Sequence, residues 1–195
     1  MDIVSTALMG LFTFTGTPAM PTPDMALLAT ASPAAQEVPA AVEIPQISVL
    51  ATAYNPVPEQ TNENPLITAS GFPSNSEIVA ARSRDLSDQL PFGTIIAIEA
   101  PENKNNNCGF EAVSDQIGYR VILDTMHARK RQQVDVMFDQ ANVVEIGNKM
   151  RNPAEVLGMC EGVTVKVVGH VDLKHVPTTQ LELVRLVEGN KLAQK

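Results

Sequence analysis

Residues 123–136 read "LDTMHARKRQQVDV" and form the most charged short segment of the chain. Asp124 opens the stretch and Asp135 closes it, with His127, Arg129, Lys130 and Arg131 between them. Apolar runs flank it, "YRVIL" before and "VMF" after. Two carboxylates at the ends of apolar strands suit general acid–base chemistry. Burial raises a carboxyl pKa, and a neighbouring Arg or Lys lowers it. An acid that works near neutral pH needs burial to dominate. The plainer alternative is a charged hairpin turn, in which either Asp caps the turn or pairs with Arg129 or Arg131.

Other residues invite similar pairs of readings. Asp85, in "ARSRDLSDQLPFG", follows Arg82 and Arg84 and is a third candidate acid. Its plain reading is an N-cap or a solvated loop residue. Thr68, Ser70 and Gly71 in "ITASG" are small enough for close approach to a ligand, and equally suited to a tight turn. Tyr54 either stacks on a sugar face or packs in the core. Cys108 and Cys160 sit in no CxxC pattern, so zinc is not suggested. Each precedes a predicted strand, so a disulfide is feasible if those strands are neighbours; free thiols are the alternative, and export would favour the bridge. "GHVDLKH" puts His170 and His175 five apart around Asp172, which does not fit one helix face. No metal set, P-loop, GxSxG or dinucleotide fingerprint is present, so neither metal nor cofactor is expected.

The elements that must hold these residues read mainly as strands. The chain has 195 residues, 44% of them hydrophobic, which suits one domain with tails. Only 4% are aromatic and Trp is absent, which argues against an aromatic sugar platform or a base-stacking surface. The net charge of −8 argues against nucleic acid. Residues 1–46 are rich in Ala and Pro and read as a disordered linker. Within it, residues 3–20 carry no charge, yet Gly10, Gly16 and Pro18 interrupt them and Asp2 replaces a basic start. That run is expected to be a weak export segment, a membrane tether or plain disorder, and it makes a poor spanning helix. From Ile47, strands are expected in "ISVLATAYN", "LITASGFPS", "EIVAARS", "LPFGTIIAIEA", "YRVILD", "QQVDVMF" and "GVTVKVVGHVD". "DQANVVEIG" reads as a short helix with Asp139 as N-cap and Gly147 after its last turn. The tail, 171–195, contains "TTQLELVRLVEGN", which reads as a helix with a Leu183, Leu186, Val187 stripe and Gly189 as C-cap. Short, evenly spaced strands with one or two helices predict a small β-barrel over 47–170, since closure removes exposed edges.

"TAYNPVPEQT", "ITASG", "IVAARSRDL", "LPFGTII", "RVILDTMHARKRQQVDVMF" and "QANVVEIG" occur in this order over residues 49–169. Together they resemble the 3D domain, a family named for three aspartates. "LPFGT" followed by "DTM…R…VD" is the most specific part. The resemblance implies a six-stranded double-psi β-barrel, and kinship with the MltA-type lytic murein transglycosylases. On that likeness the close aspartate pair corresponds to Asp124 and Asp135, with Asp135 the catalytic acid and Asp124 its companion. The earlier family aspartate corresponds to Asp85. Lys130 stands where relatives have a lysine, while Met126 and His127 replace glycines of the family loop. The implied function is cleavage of the MurNAc–GlcNAc β-1,4 bond in peptidoglycan outside the cytoplasmic membrane. Tyr54, Thr68, Ser70, Arg129 and Lys130 would meet the glycan and its anionic stem. Two other readings stand beside it: a non-catalytic glycan-binding module on the same barrel, and a two-carboxylate glycosidase with Asp85 across the groove.

Overall fold

The computed structural model describes residues 44–103 and 108–193. Of the linker expected over 1–46, residues 1–43 lie outside the described residues, and the export or tether reading of 3–20 with them, while Gln46 already belongs to the first strand. No helix among the described residues is long and apolar enough to cross a membrane.

Six strands close into a barrel. They are β1 (Gln46–Tyr54), β2 (Val79–Arg82), β3 (Thr94–Glu99), β4 (Arg120–Thr125), β5 (Gln133–Met137) and β8 (Cys160–His170). Around the barrel they run β1-β5-β2-β4-β3-β8, and β8 returns to β1. The pairs β1/β5 and β2/β4 are parallel, and the other four are antiparallel. Two short strands, β6 (Val144–Ile146) and β7 (Lys149–Arg151), form a separate hairpin. Three helices complete the described fold: α1 (Phe110–Ile117), α2 (Pro153–Leu157) and α3 (Gln180–Ala193).

Strand alternation divides the apolar side chains into two clusters. All six barrel strands contribute to the first, through Val49, Ala51, Ala80, Ile96, Ile122, Val134, Val136, Val163 and Val165, so it fills the barrel interior. Phe110, Val113 and Ile117 of α1 and Leu157 of α2 extend this cluster. The second cluster, with Tyr54, Val79, Ala81, Ile95, Val121, Leu123 and Met137, lies on the opposite face of the strands and receives Leu183 and Val187 of α3. Arg120 is buried where α1 ends. Its guanidinium donates to the carbonyls of Gln116, Ile117, Ser76 and Met137. A cation at a helix C-terminus meets both the free carbonyls and the negative end of the dipole. Burial lowers its pKa to about 10.

Several local expectations need correction. "LITASGFPS" is a turn with a single bridge, Ile67 to Pro73, and not a strand. Gly71 takes φ +85° there, and the Gly71 N–H closes the turn on the Thr68 carbonyl. "DQANVVEIG" is not a helix. Asp139 Oδ1 accepts from the Ala141 N–H in a local turn, and β6 follows. The β-branched Val143, Val144 and Ile146 favour extended backbone, and Gly147 at φ +62° supplies the hairpin turn into β7. Cys108 precedes α1 and not a strand. The Phe110, Val113, Ile117 spacing carries that helical signal. The described helices are three, against one or two expected. Gly189 lies inside α3, which continues to Ala193.

Cys108 and Cys160 are joined in a disulfide that spans 52 residues and ties the start of α1 to the start of β8. A closed loop of that length removes denatured-state entropy worth about 2–4 kcal/mol. Replacing both cysteines with serine is therefore expected to lower the unfolding free energy by about that amount, read as a lower midpoint in a urea titration. An unchanged midpoint would mean that the bridge restrains nothing the barrel does not already hold.

Candidate active site

Asp135 lies on β5, opposite Thr52 of β1 on one side and Ala81 of β2 on the other. Ala81 in turn lies opposite Asp124 of β4. Directly opposed residues share a sheet face, so Thr52, Asp135, Ala81 and Asp124 form one row across four strands. Asp124 joins this row through a β-bulge. The β2/β4 register slips between Ala80–Ile122 and Ala81–Asp124. Simple alternation would send Asp124 inward with Ile122; the extra residue re-aims it. Ala81 is small, so only its methyl group lies between the two carboxylates in this row.

The two acids are held differently. Asp124 accepts three hydrogen bonds: from the Tyr54 hydroxyl to Oδ2 at 2.9 Å, and to Oδ1 from Ala69 N–H at 2.9 Å and Thr125 N–H at 2.8 Å. Asp135 accepts one, from the Thr52 hydroxyl to Oδ1 at 2.8 Å. Among the described residues nothing hydrogen-bonds its Oδ2. Asp135 is half-buried by surface, with protein crowding it on most sides. Burial pushes its pKa up to about 6, and the Asp124 charge adds to that. The Thr52 hydroxyl and Lys130 oppose the rise. Burial first, then Asp124, lifts the Tyr54 hydroxyl well above its ordinary range.

Both carboxylates open into one cleft of about 430 Å³. Its lining brings together Tyr54, Thr68, Arg129 and Lys130 of the sequence candidates. Ser70 is not in the lining. Its hydroxyl lies 3.0 Å from that of Thr68, and its N–H donates to the Leu123 carbonyl, so it shapes the turn that presents Ala69. Asp85 is also outside the lining. It lies in a 3-10 turn, Arg84–Leu86, and accepts from the Gln132 N–H at 2.9 Å. Its slight burial is outweighed by hydrogen bonds from Ser83, Gln132 and its own N–H, and by Arg131, so its pKa lies below the usual range. Gln132 has φ +50°, a strained value for a side chain of its type, and Asp85 helps to hold it. Two of the three candidate acids therefore converge, while the third braces the loop between them. His170 and His175 do not meet the cleft; His175 lies 3.9 Å from Asp172 at the surface.

Sequence reasoning missed Arg84, Gln60, Thr61 and Asn62, all of which line the cleft. Arg84 was signalled by its place beside Asp85 in "RSRD". The polar loop after β1 offered no chemistry of its own to single out. No family model and no curated protein matches the chain.

Proposed function

We propose that the chain is a peptidoglycan-cleaving lytic transglycosylase of 3D-domain type, with Asp135 as its single acid and base. The observation that carries this reading is the contrast between the two aspartates. Asp124 is fastened by three donors, whereas Asp135 keeps one oxygen open to the cleft and a pKa of about 6. Such a group gives up and regains a proton near neutral pH.

In the proposed reaction, Asp135 protonates the glycosidic oxygen as the bond from C1 of N-acetylmuramic acid to that oxygen breaks. The resulting carboxylate then removes the proton of the muramoyl 6-hydroxyl. O6 bonds to C1, a 1,6-anhydro ring closes, and Asp135 recovers its proton. No water is consumed, so no second carboxylate is needed to activate one. Asp85 outside the cleft is consistent with this one-acid scheme and speaks against a glycosidase that uses Asp85 as its second carboxylate. A purely sugar-binding cleft would be expected to offer stacking rings. Among the lining residues Tyr54 is the only Phe, Tyr or Trp, and its hydroxyl is engaged by Asp124.

The nested parallel pairs, β2/β4 inside β1/β5 in chain order, support the double-psi form of the barrel. The disulfide favours an oxidising compartment such as the periplasm, the cell wall or the medium. Incubation with purified sacculi tests the reading through product mass. Release of 1,6-anhydromuropeptides supports it. New reducing ends would mean hydrolysis, and binding without cleavage would leave only the glycan-binding module.

A further inference from the structure

The cleft reverses the charge of the chain that contains it. The whole protein carries a net charge of −8. The cleft lining holds three fixed cations, Arg84, Arg129 and Lys130, against Asp124 and Asp135. Arg84 and Arg129 are exposed and Lys130 is half-buried. Among the described residues none of the three is in an ion pair within 4.0 Å.

These cations come from two segments that the fold locks together. β2 and β4 are parallel, so the chain leaves both at the same end of the barrel, and β5 re-enters there. Arg84 follows β2, while Arg129 and Lys130 lie between β4 and β5. Four hydrogen bonds stitch the segments: Met126 N–H to the Arg82 carbonyl at 2.9 Å, Ser83 N–H to the Gln133 carbonyl at 2.9 Å, Gln133 N–H to the Ser83 hydroxyl at 3.0 Å, and Gln132 N–H to Asp85 at 2.9 Å. The polar loop with Gln60, Thr61, Asn62 and Thr68 follows the other end of β1 and folds back over the floor, where Ala69 meets Asp124. The cleft thus has a cationic side, a neutral amide and hydroxyl side, and a floor of two carboxylates.

We propose that Arg84, acting with Arg129 and Lys130, forms an anion-binding wall that selects glycan strands bearing free carboxylates over neutral strands. The ligand class is a glycan whose sugars carry acidic substituents, as peptide-bearing muramoyl strands do. The wall rests on the transglycosylase reading for the identity of the glycan, and it adds a specificity residue, Arg84. A planar guanidinium grips a carboxylate through two parallel hydrogen bonds, which a neutral amide cannot return. Held on this side, a substituent leaves its sugar over the floor, within reach of Asp135.

The test uses the full chain with Asp135→Asn, so that bound strands are not consumed. Binding is measured to uncrosslinked peptide-bearing glycan strands, and to the same strands after carbodiimide amidation of their carboxyls. Amidation is expected to weaken binding about tenfold at low salt, and less as ionic strength rises. Adding Arg84→Gln is expected to weaken binding of the untreated strands about five- to tenfold and to leave binding of the amidated strands unchanged. Arg84→Lys should recover part of the loss. Arg84 is exposed and donates no side-chain hydrogen bond among the described residues, so Arg84→Gln should keep the parent's unfolding midpoint. Equal binding of both strand types, or an Arg84→Gln variant that binds like its parent, would overturn the proposal. Carboxylate-selective binding by a chain whose Asp135 form makes no anhydro product would retain the wall and remove the enzyme. A chain that binds no strand of either type would remove both.

Discussion

Asp135→Asn is expected to lower the release of 1,6-anhydromuropeptides by at least ~10²–10⁴-fold, the usual contribution of a general acid or base. The same substitution is expected to make the protein more stable at pH 7. Asparagine has the shape of aspartate, and its carbonyl can still accept from Thr52. The charged form of Asp135 is disfavoured in the fold because burial and Asp124 both oppose it. A folded pKa of about 6 lies above the unfolded value near 3.9, so the native state holds its proton more tightly. Its stability contribution is full below about pH 4 and is lost as pH rises through about 6. By pH 7 the aspartate form has given up roughly 3 kcal/mol at most, and the asparagine form has not. Urea titrations of both proteins at pH 4 and pH 7 read this directly. The difference should be near zero at pH 4 and should favour Asp135→Asn at pH 7. An asparagine variant that is inactive and also less stable at pH 7 would mean that Asp135 is a structural residue whose loss damages the cleft. Greater stability with lost activity is the pattern of a site that holds a group against its own solvation.

The residues of that site were legible in part. Asp124 and Asp135 stand out because each interrupts a run of aliphatic residues, and the same alternation marks β1, β2, β3, β4, β5 and β8. What periodicity does not carry is register. Asp124 reaches the cleft through the slip between Ala80 and Ala81, and a bulge is a property of two strands together, not of either sequence. Pairing order is equally invisible. Nothing local says that β2 lies between β4 and β5, so nothing local says that Ala81 separates the two acids. Asp85 illustrates the reverse problem. Its composition and charge suit catalysis, yet its carboxylate is used to hold Gln132 in a left-handed conformation. The sequence of the Thr68–Phe72 turn carries a strand signal because Leu66, Ile67 and Thr68 have strand character. Gly71 at φ +85° ends that tendency and turns the Ala69 N–H toward Asp124.

The two partners of Asp135 should move the pH profile in opposite directions. Thr52→Val keeps the shape of the side chain and removes the hydroxyl that donates to Asp135 Oδ1. That hydrogen bond favours the charged form, so its loss should raise the Asp135 pKa and shift the alkaline limb of the cleavage rate to higher pH. Asp124→Asn removes a neighbouring negative charge that favours the protonated form of Asp135. Its loss should lower the Asp135 pKa and shift the same limb to lower pH. At neutral pH Asp124→Asn should therefore lose activity that is recovered by acidification. Asp124→Ala should not be rescued in this way. It strands the N–H groups of Ala69 and Thr125 and the Tyr54 hydroxyl together, and each unpaired donor costs about 1–3 kcal/mol where it is shielded from water. The turn at residues 68–72 would lose its anchor, and with it one wall of the cleft. Activity should fall by about a hundredfold or more across the whole pH range. Initial rates on sacculi from pH 4 to pH 8 for the four proteins would check all of this. If Thr52→Val and Asp124→Asn shift the limb in the same direction, the ionisation being followed does not belong to Asp135.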